Sequence, residues 1–242
     1  MAYSKSLIQI VNLGRISYGH ALQVQQKYIR HHLDNLNVQN RPIINTLILC
    51  EHPPVYTIGI RNAPYPIEEE ERLKSFGAEF FRTNRGGLIT FHGPGQLVCY
   101  PILNLACFKK SIRWYVCQLE KTLINLCGTF GLKASTSSDT GVWVDNKKIC
   151  AIGIHCGRYI TSHGLALNCN TDMTWFKHIV PCGIVNKGVT SLSQELKRDV
   201  TVIEAIPPFL DAFLEEFNCT LSFSEEVKLK GLEEPTKRIN NQ

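Results

Sequence analysis

The sequence predicts a single α/β domain in which mixed β-sheets are flanked by helices. The 242 residues are 44% hydrophobic and 19% charged, which is enough apolar material for one full core. Two long stretches place apolar residues at helical spacing, whereas several shorter stretches have the composition and alternation of strands. We expect the domain to span residues 1–221 and a polar, flexible tail to follow over 222–242.

The first half of the chain begins with a strand over residues 7–12, which is followed by the first long helix. Ser17 is placed to cap this helix, which continues to about Leu36. Residues 46–59 (TLILCEHPPVYTIG) then predict a buried strand, a His-Pro-Pro turn and a second extended segment. An acidic helix is expected at 67–76.

The second long helix is expected over residues 111–130, and we expect the two long helices to flank one sheet. From residue 141 onward, the segments GVWV, KKICAIGIHC and HGLALNCN predict consecutive antiparallel strands. A short helix near 172–178 and a last helix at 202–217 complete the domain. Two prolines are expected to interrupt that last helix, because proline lacks the backbone donor and clashes with the preceding turn.

Charge and cysteine usage exclude several classes of protein. The formal charge of +5 is mild and scattered, so a nucleic-acid surface is not indicated, although acidic protein partners fit weakly. The ten cysteines include no CxxC pair and no zinc-finger spacing. Most lie within apolar stretches, which indicates a reducing compartment with no disulfide framework and no metal site.

The N-terminal region has a composition typical of mitochondrial targeting. It contains Lys5, Arg15, Lys27 and Arg30 but no acidic residue before Asp34. The same region also fits a strand of the folded domain, so composition leaves both interpretations open. No uninterrupted run of about 18 apolar residues is present, and a membrane span is therefore not expected.

Residues 85–96 (RGGLITFHGPGQ) are the densest candidate for a site. Four glycines and a proline leave backbone that a ligand can approach, and Arg85 and His92 supply polar groups. A purely structural turn is the competing interpretation. The segment lacks the lysine of a phosphate-binding loop and the GxGxxG spacing of a dinucleotide fold, so it does not indicate a nucleotide.

Three further segments are candidates. In KKICAIG, the strand neighbours Lys147 and Lys148 must point to opposite faces, so that one of them can face a pocket, and we expect Lys147 to be solvated. In VPCG, Cys182 is the cysteine least embedded in an apolar stretch, although a lone cysteine is more often structural. In SHGLALN, small residues either leave room for an apolar ligand or mark a tight strand crossing, with His163 bonded to backbone.

Taken together, RGGLITFHGPGQLVCY, KKICAIGI, HGLALN and PCG resemble the motifs of the octanoyl-carrier-protein:protein octanoyltransferases, also called lipoyl(octanoyl) transferases. The order of the motifs agrees, and the resemblance extends from about residue 8 to residue 220. It is closest to the animal mitochondrial branch, whose form of TSHGLALNCNTDMTWFKHIVPCG is nearly reproduced. The resemblance implies a biotin/lipoate-protein-ligase-like α/β fold, with residues 1–221 as the catalytic domain, and a location in the mitochondrial matrix.

The resemblance also implies an activity. Members of this family transfer an octanoyl or lipoyl group from octanoyl-acyl carrier protein to a lysine of apo lipoyl domains, including the glycine-cleavage H protein, without a cofactor. This transfer is the first step of endogenous lipoate attachment. The resemblance assigns the acyl-thioester nucleophile to Cys182 and the task of favouring its thiolate to Lys148. Substrate contacts are implied at Arg85, Gly86, Gly87, Leu88, Ile89, Thr90, Phe91, His92, Ala151, Ile152, Gly153, Gly164, Leu165 and Ala166.

The implied chemistry suits these residue types. A thioester donor and a cysteine acceptor have similar acyl-transfer potential, so the first step needs no ATP if the thiol is ionised. A nearby Lys148 ammonium favours the thiolate, and after acylation Lys148 can take the proton of the incoming amine as a general base. Leu88, Ile152 and Leu165 are expected walls of an acyl slot. Two alternatives are an ATP-dependent lipoate-protein ligase and a non-catalytic protein that binds lipoyl domains.

Overall fold

The computed structural model describes residues 5–36, 43–61, 65–183 and 187–223. The strands of these residues are β1 (Ser6–Arg15), β2 (Asn45–Glu51), β3 (Val55–Ile58), β4 (Glu79–Arg82), β5 (Thr90–His92), β6 (Gln96–Ile102), β7 (Ala134–Ser135), β8 (Val142–Val144), β9 (Lys147–Gly157), β10 (Ile160–Asn168), β11 (Gly188–Val189) and β12 (Cys219–Phe223). The helices are α1 (Tyr18–Asn35), α2 (Ile67–Ser75), α3 (Ile112–Thr129), α4 (Leu192–Leu196) and α5 (Val202–Glu216). Short 3₁₀ segments occupy Leu105–Cys107, Met173–His178 and Pro181–Gly183.

The larger sheet has nine strands in the described part of the chain and is mixed. Its order is β12-β1-β2-β6-β10-β9-β8-β7, and β11 pairs with β9. The strands β12, β1 and β2 run parallel to one another. From β2 onward, each strand in this order is antiparallel to the next, through β6, β10, β9 and β8 to β7. The smaller sheet has the order β4-β3-β5, with β3 parallel to β4 and antiparallel to β5. The predicted mixed sheets are confirmed.

Helices cover both faces of the larger sheet. In β2, Leu47 and Leu49 belong to a core that α3 and α5 complete, whereas Ile48 and Cys50 belong to a second core beneath α1. A strand that is buried on both faces needs apolar residues on both, which explains the uninterrupted apolar run LILC at residues 47–50 of β2. The two long helices therefore flank one sheet, as predicted, and they lie on opposite faces of it.

Serine caps define where the two long helices begin, and the predicted bounds agree to within one residue at each end. Ser17 accepts a hydrogen bond from the His20 N–H at 3.4 Å, and Ser111 accepts one from the Trp114 N–H at 3.2 Å. The chain leaves α3 at Gly131, whose φ of 76° suits glycine.

The last helix departs from its prediction. α5 continues through Pro207 and Pro208, so the expected interruption is wrong. The carbonyls that lose a helical partner belong to Ile203 and Glu204, which lie on the exposed side where water can bind them. The opposite side of α5 keeps Phe209 in the main core.

β12 extends past the expected domain boundary. It pairs Phe223 with Ile10 of β1, and Phe223 is buried, so the folded domain includes residues 222 and 223. The remainder of the expected tail, 224–242, lies outside the described residues. Among the described helices, none combines the length and the hydrophobicity that crossing a membrane requires.

Candidate active site

A cavity of about 300 Å³ lies where strands of both sheets meet the glycine turn of residues 85–87. Its walls come from β5, β6, β9 and β10, from Tyr18 at the start of α1, and from residues 138–140 before β8. Lys148 and Cys182 both line it. Candidate residues that are far apart in the sequence thus share one concave space, which is typical of substrate sites.

Cys182 lies in a strained turn. Its backbone adopts the left-handed region, with φ 56° and ψ 15°, which is uncommon for a residue other than glycine. The turn is held because the Cys182 N–H donates to the Ile89 carbonyl at 2.8 Å and the Gly183 N–H donates to the Val180 carbonyl at 2.9 Å. The half-buried thiol is therefore presented at a fixed position of the cavity wall.

Lys148 is buried, whereas its neighbour Lys147 is not. The Lys148 Nζ donates to the Thr140 carbonyl at 2.9 Å and lies 4.8 Å from the centroid of the Trp143 ring. No ion pair within the described residues involves it. Lys147 instead forms an ion pair with Glu195 at 2.6 Å. The two lysines thus have the different environments that strand alternation predicted, and Lys148 is the one in the cavity.

Arg85 fixes the glycine turn in place. Its Nη2 donates to the carbonyls of Thr57 and Leu88 at 2.7 and 2.9 Å, and its Nη1 donates to the Gly86 carbonyl at 2.9 Å. The Gly86 N–H donates to the Ile154 carbonyl of β9 at 2.9 Å. These bonds tie the turn to β3 on one side and to β9 on the other.

One part of the cavity wall is polar but uncharged. Tyr18 and His92 stack with their ring centroids 6.0 Å apart, and behind them His52 bonds to the Tyr100 hydroxyl at 2.7 Å. Burial raises the pKa of Tyr18 to about 12 and lowers the pKa of His92 to about 3 and that of His163 to about 4. These groups are therefore neutral at physiological pH.

The buried histidines should make the protein sensitive to acid. Burial lowers the pKa of His52 and His163 to about 4 and that of His92 to about 3, whereas an unfolded histidine titrates near about 6.5. As the pH falls the unfolded state binds protons first, so stability that is complete above about pH 6.5 is lost toward about pH 4. Urea unfolding should show a loss of about 4 kcal/mol between about pH 7.5 and about pH 5.5.

His163→Asn provides a specific test of this expectation, because asparagine tolerates the left-handed backbone of this position, where φ is 55°. The substitution should remove roughly a quarter to a third of the pH dependence, since burial also lowers the pKa of His32 and four histidines therefore share it. The control is His20→Asn, at an exposed position of α1, which should leave the pH dependence unchanged. A free energy of unfolding that stays constant over this pH range would show that the buried histidines are not held neutral.

Most of the implied substrate contacts line the cavity. They are Arg85, Gly86, Gly87, Thr90, His92, Ala151, Ile152, Gly153, Gly164, Leu165 and Ala166. Leu88, Ile89 and Phe91 are not among the residues that line it. A Cβ on Gly183 would be 2.3 Å from Leu88 Cδ1, so Leu88 supports the cysteine turn and is not the expected wall of an acyl slot. Ile89 binds the Cys182 N–H, and Phe91 stacks on Trp175 at 5.1 Å in a hydrophobic core.

Both interpretations of the small residues in β10 apply. A Cβ on Gly164 would lie 2.0 Å from the Cys99 carbonyl oxygen, so this glycine permits a tight strand contact. Leu165 and Ala166 nevertheless line the cavity. The His163 ring bonds to the Asn84 side-chain oxygen at 2.7 Å and not to backbone, contrary to the structural interpretation.

Sequence reasoning missed several cavity residues, among them Tyr18, Tyr100 and Thr140. Tyr18 occupies the apolar stripe of a predicted helix and Tyr100 lies in a β-prone stretch, so both resemble ordinary core residues. The available signal was the phenolic hydroxyl, which needs a polar partner when it is buried. Thr140 acts through its carbonyl, and no side-chain pattern reveals such a role.

Comparison with known proteins shows the family of this chain. The lipoyl protein ligase A/B catalytic domain family matches residues 17–214. The mitochondrial octanoyl-acyl-carrier-protein:protein N-octanoyltransferase of Danio rerio is 70% identical over 224 residues, which cover 93% of this chain and 98% of the relative. This chain belongs to the lipoyl protein ligase A/B family and, within it, to the octanoyltransferases. The Homo sapiens member of the same name is 50% identical over 226 residues, which cover 88% of this chain and 95% of the relative.

Solved structures agree on the fold. Lipoate-protein ligase A bound with ATP superposes with a TM-score of 0.69 at 14% identity, covering 93% of this chain and 92% of the ligase. A putative lipoate protein ligase from T. acidophilum with bound lipoic acid gives a TM-score of 0.66 at 14% identity, covering 89% and 88%. At these identities the similarity shows the fold alone, and it confirms the predicted lipoate-protein-ligase-like architecture.

Membership of the octanoyltransferase branch decides the class of activity. The chain is an acyltransferase that carries out octanoyl transfer for protein lipoylation, as predicted. The animal relatives are named mitochondrial, and the chain is accordingly a mitochondrial protein. The predicted animal mitochondrial branch is thus confirmed.

Proposed function

We propose that this octanoyltransferase takes an octanoyl or lipoyl group from acyl carrier protein, holds it as a thioester on Cys182, and transfers it to a specific lysine of apo lipoyl domains. The acceptors include the glycine-cleavage H protein, and the reaction takes place in the mitochondrial matrix. The observation that carries the proposal is that a strained, half-buried cysteine lines the same cavity as a buried lysine that forms no ion pair within the described residues.

The first half-reaction loads the enzyme. The Cys182 thiolate attacks the carbonyl carbon of the carrier thioester, the new carbon–sulfur bond forms, and the carrier thiolate leaves and is protonated. A protonated Lys148 in the same cavity favours the ionised sulfur before attack. One thioester replaces another, so no ATP is consumed.

The second half-reaction unloads it. The acceptor lysine attacks the Cys182 thioester as a free amine, an amide bond forms, and the Cys182 thiolate leaves. Acylation has removed the negative charge near Lys148, so a neutral Lys148 can form and take the proton of the attacking amine. A lysine that forms no direct ion pair can change its charge without breaking one, and Lys148 forms none within the described residues: Asp139, the carboxylate in the same cavity, pairs with Lys187 at 2.7 Å.

The apolar side chains of the cavity fit the acyl chain. Val98, Ile152, Leu165 and Ala166 line it beside the polar groups. Burial of an aliphatic chain against such residues contributes about 0.8 kcal/mol per methylene, which favours a medium-chain acyl group over acetyl.

An assay with purified components tests this function. Octanoyl carrier protein and apo H protein should yield octanoylated H protein at the same rate with and without ATP. The same mixture with free octanoate in place of the carrier thioester is the control and should yield no product. Transfer that requires ATP and uses free octanoate would instead show a lipoate-ligase reaction.

A further inference from the structure

Arg85 is a cation buried in the wall of the cavity. Only 6% of its surface is exposed, and it belongs to no ion pair within the described part of the chain. Its hydrogen bonds go to the carbonyls of Thr57, Gly86 and Leu88 and, at 2.9 Å, to the Thr57 hydroxyl. All of these acceptors are neutral. A buried charge is unfavourable unless an opposite charge compensates it, so this arrangement indicates that an anion is supplied during function.

The guanidinium also retains an unused donor. Its Nε is buried and has no hydrogen-bond partner within the described structure, although Arg85 lines the cavity. Glycine at position 153 leaves the space that the side chain needs, because a Cβ there would lie 3.0 Å from Arg85 Cδ and 3.5 Å from Nη1. An unpartnered donor on a buried cation is suited to an oxyanion.

Hydrogen bonds to consecutive carbonyls link Arg85 to Cys182. Leu88 accepts from the Arg85 guanidinium at 2.9 Å, and Ile89 accepts from the Cys182 N–H at 2.8 Å. The guanidinium and the cysteine are therefore held to one short segment of backbone. Burial lowers the pKa of Arg85, and negative charge on Tyr18 or Cys182, which line the same cavity, would oppose that shift.

We propose that Arg85 is the buried permanent cation of the active site, which stabilises the Cys182 thiolate and the oxyanions of the two tetrahedral intermediates. Two further charged residues line the cavity, but Arg61 is exposed to solvent and Asp139 pairs with Lys187 at 2.7 Å. This inference rests on the proposed acyl transfer through Cys182. Arginine stays protonated even when it is buried, whereas a lysine can lose its proton. The two cations thus have separate tasks. Lys148 changes its charge to accept the proton of the amine, while Arg85 keeps the leaving thiolate and the oxyanion stable at that same moment.

The first test measures the thiol without any substrate. Iodoacetamide is small and neutral, and its rate of reaction with Cys182 reports the thiolate fraction. A Cys117→Ser background removes the exposed thiol of α3. In that background Arg85→Gln, which keeps donors but not the charge, should be alkylated at least about tenfold more slowly at neutral pH and should reach the parent rate at a pH about one unit higher. Arg85→Lys should stay close to the parent profile.

Three controls separate charge from structure. Arg82→Gln removes an exposed cation of β4 and should leave the pH profile unchanged. Thermal unfolding of each variant shows whether the carbonyl bonds of Arg85 matter for stability. If Arg85→Gln does not fold, Gly153→Ala retains every charge but displaces the guanidinium, and it should shift the profile in the same direction. A profile that is unchanged in the folded variants, whatever their thermal stability, would overturn the inference.

The second test separates this inference from the proposed function. Acylation by octanoyl carrier protein and transfer from the acyl-enzyme to apo H protein should both slow in Arg85→Gln. If the parent forms acyl-Cys182 and Arg85→Gln matches it in both half-reactions, the role of Arg85 is refuted while the proposed function stands. If the parent forms no acyl-enzyme, the proposed function itself fails, and the role of Arg85 in acyl transfer fails with it.

Discussion

Cys182→Ser is expected to lower the rate of octanoyl transfer to apo H protein by about 10⁴-fold or more, because removal of the nucleophile from an enzyme with a covalent intermediate typically lowers its rate by a factor of this size. A serine hydroxyl is almost un-ionised at neutral pH, and neighbouring cations cannot change that to a useful degree. The measurement is the steady-state rate with octanoyl carrier protein at saturating acceptor. The fold should be preserved, since serine fits the same turn and the thiol makes no hydrogen bond that the structure identifies.

Cys156→Ser is the matched control. Cys156 is a half-buried cysteine of β9 that does not line the cavity, and its replacement should leave the rate within about twofold. A Cys182→Ser enzyme that unfolds normally and still transfers at more than about a tenth of the parent rate would exclude Cys182 as the nucleophile.

Lys148 substitutions should separate the two half-reactions. Lys148→Gln is expected to slow overall transfer about 10²- to 10⁴-fold at neutral pH, the range that a positioned proton acceptor contributes. Acylation of Cys182 should recover in part at alkaline pH, where the thiol ionises without help. Lys148→Arg keeps a charge but cannot lose its proton, so it should retain acylation and lose transfer to the amine. Single-turnover measurements of each step distinguish these patterns.

Lys147→Gln is the appropriate control for Lys148, because it removes an adjacent cation from the same strand that instead pairs with Glu195. Its effect should be less than about threefold. The general-base role would be refuted by a Lys148→Arg enzyme that delivers the acyl group to acceptor at the parent rate. Thermal unfolding must accompany these assays, since the Lys148 Nζ also binds the Thr140 carbonyl.

Local signals were sufficient to predict much of the fold. Ser17 and Ser111 define helix starts through caps that involve only the following turn. The strand-like sequences of β9 and β10 predict that the two segments pair as an antiparallel hairpin. The strand order could not be derived in this way, because the pairing of β1 with β12 joins residues more than 200 positions apart. Pro207 misled the prediction because the cost of a proline depends on whether the freed carbonyl faces solvent.

The site shows the same division between side-chain signals and three-dimensional packing. Strand alternation placed Lys147 and Lys148 on opposite faces, and the flanking proline and glycine set Cys182 apart from the other cysteines, but their predicted roles came from the resemblance to the family. The supporting role of Leu88 depends on the approach of Gly183, and the link between Arg85 and Cys182 depends on two backbone carbonyls. Contacts of this kind leave no periodicity or motif that a sequence can reveal.

Trapping the intermediate tests the covalent mechanism most directly. The enzyme is incubated with octanoyl carrier protein in the absence of acceptor, and the products are examined by intact mass, by peptide mapping and by treatment with neutral hydroxylamine. We predict one octanoyl group on the peptide that contains Cys182, released by hydroxylamine and transferred when apo H protein is added. Full transfer activity without a trappable acyl-enzyme, or an octanoyl group on Lys148 instead of Cys182, would contradict the mechanism.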